Sequence, residues 1–319
     1  MPLDYRTSAA AQLIAVVDGA LPCPHVCRLT KETRLSNAEP RPGLAEIDVF
    51  GLTDRGRVRH ENQDQFLIAS LHKLLRVHQS SIPPDDLTPL VTESRGFVFV
   101  VADGVAGRPD GAQASGTVIR AIANYVTHLT DLYRRLDSDR EAEFLAQLER
   151  AVLETHEVLL EEGRRDYGGK GAATTLTMVF ALWSRAYLVH LGDSSCYRLR
   201  ERQLQRMTRA QTVAEDLVRA GALRPSEARQ SPLSNVLASA LGGPEATPLT
   251  LASDARRDDI LLLCTDGLTK HVTEDEIADK LRTLQSSEQV CRDLVRLANE
   301  RGGTDNVTVL VGRVRPLPR

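Results

Sequence analysis

Five aspartates stand where short apolar runs begin or end, and their placement limits the fold more than any other feature of the chain. The run at 97–102 closes on Asp103-Gly104, the run at 186–191 on Gly192-Asp193, and the run at 260–264 on Thr265-Asp266-Gly267. Asp305-Asn306 immediately precedes a run at 307–314, and Asp64 precedes one at 66–69. Such Val-, Leu- and Ile-rich runs, with a further one at 175–182, read as buried strands. A carboxylate joined directly to a buried strand sits at the rim of its sheet, partly removed from water. Several of them converging there would repel one another and lose hydration. A divalent cation relieves both costs, and an all-oxygen donor set with no His or Cys beside it suits Mg²⁺ or Mn²⁺ rather than Zn²⁺. A single Asp-Gly is an ordinary turn; the weight lies in several of them with matching neighbours.

Between the runs lie amphipathic stretches. Residues 112–136 carry Val118, Ile122, Tyr125, Val126, Leu129, Leu132 and Leu136, and residues 141–160 carry Leu145, Leu148, Val152 and Leu159. Both spacings fit helices with one buried stripe, and two more are expected at 274–284 and 288–299. Strands, two helices, several strands, helices and a last strand do not make regular βαβ alternation, so an α+β layered domain is expected. Residues 72–96, with Pro83, Pro84 and Pro89, are expected as an irregular insertion. Residues 1–45 end in a Pro-rich stretch without a sustained period and read as an extension or linker, leaving 46–319 as the folded domain.

Composition narrows the function. Lys plus Arg number 40 against 43 Asp plus Glu, a formal net charge of −3, which argues against a nucleic-acid binder. No apolar run approaches the length needed to span a bilayer. Residues 8–17 are only mildly apolar and lack a cleavage-site pattern, and the five cysteines are odd in number, with Cys196 and Cys264 inside strand-like runs. Reduced thiols in a cytoplasmic protein are the expectation. Cys23, His25 and Cys27 cluster, but no second pair follows at zinc-site spacing. Gly168 to Thr175 lacks the residue a phosphate-binding loop requires after Lys170. Leu160 stands where a zinc-protease helix starting at His156-Glu157 needs its second His.

The segment GLTDRGRVRHENQDQF at 51–66 resembles the opening motif of the metal-dependent type-2C protein serine/threonine phosphatases, in their bacterial form. Further matches follow in that family's order: VVADGVAGRPDG at 100–111, GAATTL at 171–176, VHLGDSS at 189–195, LLLCTDGL at 261–268 and GGTDNVTVLV at 302–311. The resemblance implies a central antiparallel β-sandwich flanked by helices on both sides, in α-β-β-α layers, with metals at one end. It implies that Asp103 bridges two Mn²⁺ or Mg²⁺ ions, that Gly104 offers its carbonyl, and that Asp266 and Asp305 are direct ligands. Asp64 would act directly or through water, Gln63 would touch only a water, and Asp193 would help hold a third metal. Arg59 would grip the substrate phosphate, since its planar donors meet two phosphate oxygens and keep their charge. A hydroxide bridging the two ions would attack phosphorus in line.

Lys270 departs from the pattern, where many relatives place an aspartate; it could repel a third cation or substitute its own charge. Ala106 and Arg108 interrupt a run that is usually richer in glycine, and Ser195 replaces an arginine. Residues 210–241 resemble a flap that would touch the substrate. The expected partners are phosphoserine and phosphothreonine proteins, a serine/threonine kinase or its targets among them, with the chain acting as a monomer. Two rivals differ in class: a catalytically weakened member that binds phosphoproteins as a regulator, and a metal-dependent hydrolase of another phosphate ester.

Overall fold

A computed structural model describes residues 42–43, 46–71, 75–80, 96–105, 111–128, 140–167, 171–228 and 230–315. The expectations for the 1–45 extension, for Cys23, His25 and Cys27, and for Ala106 and Arg108 lie outside these residues. The described residues belong to one unit, Arg41–Arg319.

Two antiparallel sheets face each other. One has five strands in the order β1 (Ile47–Asp54), β11 (Val307–Val314), β10 (Ile260–Cys264), β7 (Ser195–Arg200) and β8 (Gln203–Arg206). The other has six: β3 (Leu75–Ser80), β2 (Asp64–Leu71), β4 (Gly96–Asp103), β5 (Leu176–Leu182), β6 (Arg185–Leu191) and β9 (Leu249–Asp254). Strand β4 shows why its sequence is apolar at every position. Phe97, Phe99 and Val101 point between the sheets with Phe66, Ile68, Leu263 and Leu310. Val98, Val100 and Ala102 point the other way, onto helices. A strand buried on both faces cannot show polar alternation.

Helices α1 (Gly111–His128) and α2 (Glu141–Tyr167) cover the six-stranded sheet through Val118, Ile119, Ile122, Phe144, Leu148 and Val152. Two short helices follow, α3 (Val213–Arg219) and α4 (Pro225–Ala228), then α5 (Asp266–Thr269). Helices α6 (Glu274–Arg282) and α7 (Ser287–Glu300) cover the five-stranded sheet through Ile277, Leu281, Val290 and Leu294. Helix α6 starts on a capping box, Thr273 and Glu276 each bonding the other's backbone, which satisfies two donors a helix start leaves orphaned. The layers are therefore α-β-β-α, as expected. Among the described residues no helix is long and apolar enough to cross a membrane.

The structure corrects two details. Residues 75–80, expected within an irregular insertion, pair with β2 as an edge strand; a polar sequence can still use the backbone groups an edge leaves open. Helix α2 continues seven residues past Leu160, to Tyr167, because Glu and Arg are good helix formers even where the apolar stripe has ended. Strands β7 and β8 form a hairpin turning at Glu201 and Arg202, with φ of 50° and 64°. That is the tight turn whose usual Asn-Gly signal is missing here. Residues 129–136 of the first expected helix lie outside the described residues. Cys196, Cys264 and Cys291 are buried free thiols.

Candidate metal centre

The strand ends deliver the aspartates to one rim. Asp64 opens β2 and Asp103 closes β4, and the two are cross-strand partners, so their side chains leave the same face. Asp193 follows β6, Asp266 begins α5 directly after β10, and Asp305 precedes β11. One carboxylate oxygen from each of Asp103, Asp193 and Asp266 lies within 4.8 Å of the others. The structure thus brings together the five sequence-predicted carboxylates, though not on equal terms.

Asp64 is 1% exposed. Its Oδ2 accepts from the Thr265 and Thr308 hydroxyls at 2.8 and 2.7 Å, while its Oδ1 is buried without a partner. Burial pushes its pKa up to about 7 despite those hydroxyls. Asp103 is driven well above the ordinary carboxylate range by burial and then by Asp64. Asp193 rises to about 8 through burial and the nearby Asp266. Asp266 also rises by burial, partly offset by Lys270, and its Oδ1 has no partner.

Asp305 behaves oppositely. Burial would raise it, but Arg59 and Lys270 hold it below its usual value. Arg59 grips it with both ends of the fork, Nε to Oδ1 at 2.7 Å and a terminal nitrogen to Oδ2 at 2.9 Å. Lys270 Nζ lies 2.8 Å from Asp305 Oδ2 and 2.6 Å from Asp266 Oδ2.

The chain supports this rim from behind. Thr175 Oγ1 accepts from the Asp103 amide, and the Thr174 hydroxyl donates to the Asp103 carbonyl. Asn306 ties down the loop carrying Arg59: its Nδ2 donates to the carbonyls of Arg55 and Glu61, and its Oδ1 accepts from the Gln63 amide. Thr265, Thr308 and Asn306 were not singled out from sequence, although each lies inside or beside a quoted motif. A Cβ at Gly104 would stand 2.5 Å from the Gly111 carbonyl oxygen, and one at Gly267 would stand 1.9 Å from that of Asn306. Only glycine lets these backbones approach.

Other expected positions fall into place around the rim. Gln63 joins it through its backbone, its carbonyl accepting from Gly104 N and Ser115 Oγ. Ser195 is fully buried and accepts from Arg206, a structural role. His156 is a buried helix residue whose Nδ1 accepts from Gly242 N. His60, beside Arg59, is exposed. The 210–241 excursion is rooted in the rim: Gln211 exchanges two hydrogen bonds with Gly192, and Leu241 pairs with Thr174. Leu233 and Val236 are exposed on it.

These donors fit a divalent cation. Two buried carboxylate oxygens lack any partner, and four of five acids are held toward their neutral forms by burial and mutual repulsion. An ion offsets both costs, and the all-oxygen set suits Mn²⁺ or Mg²⁺.

Comparison with known proteins agrees. The family model described as Protein phosphatase 2C matches residues 76–310. The serine/threonine protein phosphatase PstP of Mycobacterium tuberculosis is 35% identical over 217 residues, 68% of this chain and 40% of that protein. The chain thus spans about 40% of the length of that relative. The serine/threonine phosphatase stp of Listeria welshimeri is 30% identical over 260 residues, 81% of this chain and 92% of the relative. The crystal structure of the M. tuberculosis phosphatase superposes with a TM-score of 0.66 at 30% identity, covering 85% of this chain and 99% of that one. A PstP catalytic domain in complex with 2 manganese ions superposes at 0.64 with the same identity and coverage.

Proposed function

The chain belongs to the protein phosphatase 2C family, and from that premise we propose that it is a metal-dependent phosphatase hydrolysing phosphoserine and phosphothreonine in proteins. The observation that carries the reading is the rim itself: Asp103, Asp193 and Asp266 converging beside two orphaned carboxylate oxygens, on Asp64 and Asp266. Residues 46–319 would form the phosphatase domain, behind an extension of residues 1–45.

Two ions, Mn²⁺ or Mg²⁺, would be held by Asp103 together with Asp64, the Gly104 carbonyl, Asp266 and Asp305, with Asp193 beside Asp266 for a third. When bound, such ions supply a water of lowered pKa as the nucleophile and offset charge on the phosphoryl group. The chain's own residues do the rest. The Thr265 and Thr308 hydroxyls fix Asp64 Oδ2, leaving Oδ1 for coordination. The Thr174 and Thr175 contacts hold the backbone of Asp103. Arg59 spends two of its five N–H donors on Asp305 and keeps three for phosphate oxygens. The 210–241 excursion, rooted beside Asp193 and Asp103, would touch a protein substrate through its exposed Leu233 and Val236. A phosphorylated kinase or a target of that kinase is a fitting substrate.

One observation favours a second reading, a phosphoprotein-binding regulator of weakened activity: Lys270 and Arg59 both engage Asp305. Phosphate release from a phosphothreonine peptide, with Mn²⁺, with chelator and with Asp103→Asn, separates the two. Manganese-dependent turnover abolished by chelator and by the substitution supports the enzyme. Tight Mn²⁺ binding without turnover in the wild type would instead establish the regulator.

A further inference from the structure

Two rows of residues face each other at the end of the sandwich away from the aspartate rim. Across the six-stranded sheet run the cross-strand partners Phe97, Ala181, Ala186 and Ser253. Across the five-stranded sheet run Arg198, Leu261, Gly312 and Val49. Partners in a row leave the same face, and both rows line one cavity of about 90 Å³ between the sheets. The sequence makes this space. Three small side chains stand together in one row with a glycine opposite, where close packing would call for Val, Leu or Ile. A side chain at Gly312 would not fill it, since a Cβ there would stand 2.7 Å from the Phe99 ring. Apolar cavities of this order admit apolar guests.

The mouth of the cavity is charged. The Arg198 side chain is 13% exposed, and its Nε is buried with no partner among the described residues. Its terminal nitrogens donate to the Asp254 carbonyl at 3.4 Å and to Gln205 Oε1 at 2.8 Å, both neutral acceptors. The Asp254 carboxylate stands 3.9 Å away and gives its other oxygen to Arg200 and Arg256, at 2.9 and 3.1 Å. Asp259 is held by Arg200 at 2.6 Å, and Arg313 has Asp48 at 3.0 Å. Arg198 is therefore the cation at this mouth without a close carboxylate of its own. A buried guanidinium with an open N–H is costly until an acceptor reaches it.

We infer that this cavity is a binding site for a single alkyl chain ending in a carboxylate. The chain lies between the two rows, against Phe97, Ala181, Ala186 and Leu261, and the carboxylate meets Arg198 at the mouth. The site is separate from the rim and uses none of its residues.

The test is calorimetric titration of the full chain with octanoate and, as the same chain with a neutral head, octanol. Chelator is present throughout, so that no metal at the rim can take the carboxylate. Wild type, Ala186→Leu and Arg198→Met are compared, each checked for folding by circular dichroism. Wild type is expected to bind one octanoate per chain and octanol at least about tenfold more weakly, the worth of a hydrogen bond to a charged group. Ala186→Leu, which fills the cavity, should lose at least about tenfold in affinity for both. Arg198→Met should bind octanoate no better than octanol. Should that variant not fold, the octanol comparison and Ala186→Leu carry the test. No saturable octanoate binding up to about 1 mM, a threshold of roughly 4 kcal/mol, would overturn the inference. So would octanol binding as tightly as octanoate in wild type, or a folded Ala186→Leu that binds octanoate undiminished.

Discussion

The two ends of the sandwich use the same residue types to opposite effect. At the end away from the aspartate rim, carboxylates meet guanidinium groups nearly one for one. Arg200 holds Asp259 with both ends of its fork at 2.6 Å and also reaches Asp254 at 2.9 Å. Arg313 meets Asp48, Arg257 meets Glu46, and Arg185 meets Glu141. The acids there whose titration shifts are held low. Glu141 is lowered by Arg185, Glu46 by the Gly43 amide and Arg257, and Asp254 by arginines that outweigh its burial. At the metal rim the acids outnumber the cations, and Asp64, Asp103, Asp193 and Asp266 are all raised. The rim-bearing strands β2, β4, β6, β10 and β11, of five to eight residues at about 3.3 Å each, keep the ends some 15–25 Å apart, beyond the Debye length at physiological salt. Neither end can neutralise the other. A balanced set of charges is structure; a surplus that folding has left unpaired is a place for a ligand.

That contrast can be broken from either side. The largest effect is expected from Asp103→Asn. Turnover should fall roughly a thousandfold or more, about 4 kcal/mol in the barrier, in a phosphate-release assay. Chelated Asp103→Asn should nevertheless melt higher than chelated wild type, because one repelling charge is gone. Arg200→Met should do the reverse. Removing one partner of a mostly buried pair costs about 3 kcal/mol of stability by denaturant titration, while Mn²⁺ binding and turnover at saturating metal remain as in wild type. If Arg200→Met changed metal affinity, the two ends would not be independent.

Next comes a pH effect. His190 is buried, its Nε2–H donating to the Arg209 carbonyl and its Nδ1 accepting from the Thr177 hydroxyl, and burial lowers its pKa to about 4. Its folded pKa lies below the ordinary value of 6.5, so the unfolded chain binds the proton more readily. Its contribution to stability is present above pH 6.5 and lost as pH falls towards 4. By pH 4.5 this amounts to about 2–3 kcal/mol. Denaturant titrations from pH 7 to 4.5 should show wild type losing that much more stability than His190→Gln. The smallest effect is expected from Thr308→Val, which removes one of two hydroxyls from Asp64 Oδ2. It should weaken Mn²⁺ binding by about 2 kcal/mol or less, the worth of a hydrogen bond to a charged group, with the fold intact by circular dichroism.

Much of this was legible in the sequence. The central strands declare themselves as apolar runs because both of their faces are buried, and the runs end on the residues that matter. The rim's five aspartates could be read from that adjacency alone. What could not be read is how the rim divides. No periodicity reveals that Thr265 and Thr308 cap Asp64, or that Asn306 braces the Arg59 loop, since those contacts join segments some 200 residues or more apart. The edge strands β8 and β9 were equally silent, because solvent on one side removes the need for apolar residues. Lys270 was visible as a departure, but whether it would repel a cation or replace one depends on where its ammonium sits, and only the fold brings Asp305 to it.

The most direct measurement is anomalous diffraction at the manganese edge from crystals of the protein grown with Mn²⁺. Manganese at the rim, held by Asp103 together with the neighbouring aspartates, is the predicted result. No ion at the rim from crystals grown with Mn²⁺ would contradict the account.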